Sequence, residues 1–148
     1  MRTFLFSFVG IAILLADAGC GKAPAPARIA EPAPPVAAIW PATRKTDRGN
    51  FGVTIRPHGG RIVRNEHFSI EVVLEPGAGA GAPVSVVVDA DMPAHQHGMN
   101  TKAETVHEGG NRYRANGMLF HMAGEWMITV DVAAGSTKER ASFPVAIE

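Results

Sequence analysis

The chain has 148 residues, a formal net charge of zero and 46% hydrophobic residues, which suffices for one domain with a real core and falls short of two. Neutrality removes the electrostatic case for nucleic acid as a partner. The single cysteine, Cys20, excludes an intramolecular disulfide, a zinc site built on cysteines, and a blue-copper centre, which needs a thiolate inside the folded domain.

The chain opens as an export signal. Arg2 precedes a mostly apolar run of thirteen residues, 4–16, shorter than the about 20 needed to span a bilayer. Two cleavage readings stand. Ala16-Asp-Ala18 fits the small-x-small pattern of ordinary cleavage, whereas Leu14-Leu-Ala-Asp-Ala-Gly-Cys20 resembles a bacterial lipobox. Asp17 stands where that pattern usually has an aliphatic residue, but the lone cysteine sits where a lipid attaches and a linker comes directly after it. Residues 1–19 are therefore read as a signal peptide of lipoprotein type with Cys20 as the lipidated residue. The protein is expected outside the cytoplasm, in the periplasm, tethered to a bacterial membrane.

Residues 20–48 read as a linker. Positions 23–42 hold six prolines and eight alanines, a composition that cannot bury enough surface to fold and favours polyproline geometry. At ~3.1 Å per residue it would reach about 60 Å. Arg44, Lys45 and Arg48 close it with a basic cluster, read as a solvated boundary.

From residue 49 to 148 the hydrophobic period is two. Phe51, Val53 and Ile55 alternate with polar neighbours, as do Phe68, Ile70, Val72 and Leu74, then Val84, Val86 and Val88. Residues 113–120 are less regular. Trp126, Ile128, Val130 and Val132 restore the alternation, and Phe143, Val145 and Ile147 end it. Glycine-rich breaks separate the runs and none keeps a helical period. The pattern predicts an all-β fold: an immunoglobulin-like or cupredoxin-like β-sandwich of about seven antiparallel strands.

Chemistry concentrates in residues 89–100, which leave the end of the Val84 strand. His95 and His97 stand at i, i+2 with Met99 close behind, and His121-Met122 arrives about twenty residues later. Imidazole is a good ligand for Cu(II), and thioether sulfur holds Cu(I). In an extended segment His95 and His97 share a side. Pro93 fixes φ on entry, and Gly98 permits a positive φ on exit. The competing reading is a structured loop whose histidines bond backbone groups and carboxylates such as Asp89 and Asp91. Met118 and Phe120 share core parity, Trp126 reads as a core plug, and His58, His67 and His107 as surface residues. Whether the two clusters meet depends on strand topology, which the sequence leaves open.

Asp91-Met-Pro-Ala-His-Gln-His-Gly-Met99, Gly110-Asn-Arg-Tyr113, Gly117-Met-Leu-Phe-His-Met122 and Gly124-Glu-Trp126 resemble the YtkA-like and FixH-related extracytoplasmic domains over residues 50–148. The resemblance implies a small exported or membrane-tethered β-sandwich associated with copper handling or oxidase assembly. A weaker similarity is to periplasmic copper chaperones that use His and Met ligands.

Catalytic motifs are missing. No Gly-x-Ser-x-Gly elbow or phosphate loop occurs, and Gly77-Ala-Gly-Ala-Gly81 runs into Pro83 and a strand rather than a helix. The expectation is a non-enzymatic copper-binding domain that delivers or sequesters metal, with His95, His97, Met99, His121 and Met122 as ligands and zinc the less favoured ion. Its expected partners are a cuproprotein recipient or a membrane complex. The alternative is a metal-free accessory module that docks on such a complex.

Overall fold

The structure, a computed structural model, describes residues 39–76 and 84–148. The signal peptide, Cys20 and the linker up to residue 38 lie outside the described residues. The described secondary structure is all strand: β1 (Ala42–Lys45), β2 (Phe51–Pro57), β3 (His67–Pro76), β4 (Val84–Met92), β5 (His97–Gly98), β6 (Glu104–Gly109), β7 (Arg112–Leu119), β8 (Gly124–Ala134) and β9 (Thr137–Ile147). No helix among the described residues is long and apolar enough to cross a membrane.

The strands form two antiparallel sheets, ordered β1-β2-β3-β7-β6 and β5-β4-β8-β9. Each central strand buries alternate residues, as the period-two pattern requires. Val53, Ile55, Ile70 and Val72 from the first sheet meet Val88, Ile128, Val130 and Phe143 from the second in one core. Met118, Phe120 and Trp126 are fully buried, which bears out their expected core parity.

Nine strands replace the expected seven, and each addition has a physical reason. β1 lies within the segment read as linker, where Ala42–Lys45 pair with Gly52–Ile55. Its outward Arg44 and Lys45 concealed a short edge strand. β5 has two residues, too few to show a period. β6 is exposed along most of its length, so it lacks an apolar alternation. β9 begins at Thr137, well before Phe143, because its inward residue there is the buried carboxylate Glu139.

Glu139 has its own cradle. It accepts hydrogen bonds from the Thr46 hydroxyl and from the Asn50 backbone and side-chain amides, tying the β1–β2 turn to β9. Burial alone pushes its pKa up, but the Thr46 and Asn50 hydrogen bonds outweigh that and hold it below its ordinary 4.5. A depressed folded-state pKa gives stability that is present above the unfolded value and lost as pH falls through the folded one. Thermal unfolding should therefore show the chain losing stability below about pH 4.5, and the Glu139→Gln variant should start lower at neutral pH and lose less on acidification. Parallel acid slopes for the two proteins would contradict this role.

The sheet edges are each interrupted. β9 is a long edge strand, but Arg140 turns its backbone away from β8 to exchange hydrogen bonds with Asp47. Pro144 has the same parity, so its missing N–H falls on the open side. On the other flank, the Tyr113 hydroxyl donates to Val84 O (3.1 Å), and Val88 N–H donates to Thr105 Oγ1 (3.2 Å). β6 carries a bulge between His107 and Gly109.

Candidate metal site

Sheet topology brings the two ligand clusters to one pole. β4 ends at Met92, and β5 returns beside it with Met92 opposite His97 and Asp91 opposite Gly98. On the other flank of β4, Asp91 pairs with Met127, so Trp126 comes next in the row. Directly opposed residues share a face, which puts His97 on the inward side with buried Met92 and Trp126. β7 belongs to the five-stranded sheet and β8 to the other, so residues 120–123 cross between the sheets at this pole.

Residues 93–96 form a turn rather than an extended segment. His95 N–H donates to Met92 O at 3.0 Å, and Gln96 N–H to Pro93 O at 3.4 Å. The positive φ expected at Gly98 falls instead on Gln96 (54°), which costs a non-glycine residue some strain. Gly98 serves a different need: a Cβ there would lie 3.3 Å from Ala90 O.

Three imidazoles gather above Trp126. Ring centroids are 5.8 Å apart for His95–His97 and 5.4 Å for His97–His121. The Trp126 ring meets His97 at 6.2 Å and His121 at 5.5 Å, both edge to face. Below it Trp126 stacks on Phe120 at 4.4 Å, and Phe120 meets Phe68 at 4.9 Å. An aromatic column thus runs from the core to the histidines.

The nitrogen atoms define what the pole can bind. His97 Nδ1 is 3.0 Å from Gly98 O, so Nδ1 carries the hydrogen and Nε2 keeps a free lone pair. His121 Nδ1 is buried and has no hydrogen-bond partner, an arrangement that costs about 1–3 kcal/mol unless something satisfies it. With metal–nitrogen bonds of about 2.0 Å, two imidazoles on one ion have ring centres up to about 6 Å apart, and both observed spacings fit. Among the described residues, no group of three or more His, Cys, Asp or Glu side chains is gathered to hold a metal ion as the structure stands. The histidines of the pole make no hydrogen bond to Asp89 or Asp91 among the described residues; Asp89 instead accepts from Ala90 N–H.

The methionines differ. Met99 is partly buried against the core, with its N–H bonded to Ala90 O. Met122 is 37% exposed, and its carbonyl accepts from the Trp126 indole N–H at 3.0 Å. That bond fixes the corner between His121 and β8, and sequence reasoning missed it. The available signal was that a buried tryptophan needs an acceptor for its N–H. Met127 is half-buried. His58, His67 and His107 are exposed, and His58 and His107 find other partners: Glu71 Oε1 for His58 at 3.2 Å, and Gly110 O for His107 at 2.9 Å.

A two-sheet sandwich with imidazoles and thioethers at one mouth, floored by a tryptophan, defines a small all-β domain with a histidine- and methionine-rich pole. The chain belongs to the YtkA-like family, whose sequence profile matches residues 58–131, half of its length. Among solved structures it is similar to a DUF4426 family protein from Pseudomonas aeruginosa, at 17% identity and a TM-score of 0.49 over 72% of this chain and 93% of that one. Comparison with curated proteins gives no match.

Proposed function

We propose that this is an exported, lipid-tethered domain that binds copper at the histidine pole and delivers or sequesters it, with no catalytic step of its own. The observation that carries this reading is His121 Nδ1, buried without a partner beside the His97 ring. A bound ion would satisfy it. His97 supplies a nitrogen donor together with His121 or with His95 from the turn, and Met99 and Met122 supply thioethers for the reduced ion. Trp126 screens the inner side, as an aromatic face does for a cation. The natural recipient is a cuproprotein or a membrane complex such as an oxidase under assembly.

Leucine matches methionine in size and apolarity, so Met99→Leu with Met122→Leu should cost less than about 1.5 kcal/mol in stability. The double variant is expected to lose at least about tenfold in Cu(I) affinity, some 1.4 kcal/mol, while keeping most of its Cu(II) affinity. Competition against a colorimetric Cu(I) chelator reads this directly. An unchanged Cu(I) constant in a folded variant removes both thioethers from the site. A blank titration with either ion leaves the other reading, a docking module that uses the exposed turn at 93–96 and Met122 as its contact surface.

A further inference from the structure

The three imidazoles are not equivalent. His95 is exposed on the turn, His97 is half-buried on β5, and His121 is half-buried with its Nδ1 fully enclosed. Among the described residues the His95 ring meets the His97 ring alone, whereas His97 and His121 each meet Trp126. His97 is therefore common to two pairs of almost equal spacing, 5.8 and 5.4 Å. Each pair is within the span of one ion, while the three do not close on one point.

We infer that the pole is a two-position path for the cargo ion, with an outer position between His95 and His97 and an inner one between His97 and His121. The inference rests on the copper reading above and adds a direction of travel to it. An ion from solvent meets His95 first, on a turn whose Gln96 has the left-handed backbone of a locally strained segment. His97, held by its bond to Gly98 O, presents Nε2 and serves both positions. Movement inward exchanges one donor for another: the bond to His95 breaks as one to His121 Nδ1 forms. His121 enters as the tautomer with its hydrogen on Nε2, so no proton is released. The inner position gains the enclosure that the outer one lacks, and the buried lone pair gains its partner.

Trp126 touches both imidazoles of the inner position but only His97 of the outer one, so its quenching deepens as the ion moves inward. In the full chain carrying Trp40→Phe, Trp126 is the sole tryptophan and its emission reports arrival at the inner position. Stopped-flow mixing with Cu(II) should show a fast absorbance phase and then a slower quenching of Trp126. His95→Ala should abolish the fast phase and slow the quenching about tenfold, while the slow phase itself persists. His121→Ala should keep the fast phase, lose the slow one, and release copper to a chelator at least about tenfold faster. His97→Ala should remove both phases. A single phase that all three substitutions weaken alike would overturn the path and leave a three-histidine copper site. No binding by the unsubstituted protein would overturn both the path and the copper reading.

Discussion

Trp126→Ala should lower the unfolding free energy by about 3–5 kcal/mol, the cost of emptying a large aromatic from a close-packed core. Its side chain is fully buried, stacked on Phe120, and hydrogen-bonded to Met122 O. That loss is a large part of the about 5–15 kcal/mol that holds an ordinary domain together. Urea denaturation monitored by circular dichroism will show it as a lower midpoint at unchanged slope. Trp126→Phe separates the two contributions. It keeps the stack but removes the N–H, so it should cost far less, with about 1 kcal/mol from the hydrogen bond itself. If the pole holds copper as proposed, the phenylalanine variant should also weaken that binding, because the corner that carries His121 and Met122 loses its tie. A phenylalanine variant as unstable as the alanine one would place the energy in the hydrogen bond rather than the packing.

The second large effect is expected at Gly124, where β8 starts. Its φ of +125° is a conformation that side chains rarely adopt, and a Cβ there would sit 2.9 Å from the terminal methyl of Met92. Gly124→Ala should cost about 1–3 kcal/mol for the backbone alone. The methyl group belongs to a flexible side chain, but Met92 is itself fully buried, so its displacement disturbs the floor beneath His97. Combining Gly124→Ala with Met92→Leu should recover the steric part and leave the backbone part. Full recovery of the unfolding midpoint by the double variant would mean that the strain assigned to φ is absent.

The sequence made the architecture legible wherever one face of a strand was apolar. β2, β3, β4 and the middle of β8 announce themselves through alternating valine, isoleucine and phenylalanine. β6 and the first half of β9 do not, because β6 has little buried face and β9 fills its inward position with Glu139, whose partners Thr46 and Asn50 lie 93 and 89 residues away. No local pattern encodes such a cradle. At the pole, the histidine and methionine residues and their spacing were readable, but their meeting was not. That depends on residues 120–123 crossing between sheets at the end where β4 turns back. His95 and His97 do lie together, but not through i, i+2 alternation of an extended strand: the segment is a turn and β5 presents His97. Gly124 was visible as part of a motif, yet neither its positive φ nor its closeness to Met92 shows in the sequence.

The interrupted edges bear on how this chain behaves at high concentration. With a formal net charge of zero, copies of the protein have no long-range repulsion to hold them apart, and encounters are frequent. The outcome of each encounter then depends on backbone geometry. An open strand edge would template the addition of a neighbour's strand and grow into a ladder. Among the described residues such growth is hindered at each edge: β5 and β1 are too short, β6 is bulged, and β9 offers Pro144 where a partner would seek a donor. Colloidal restraint in this molecule is thus written into the shape of its margins rather than into its charge.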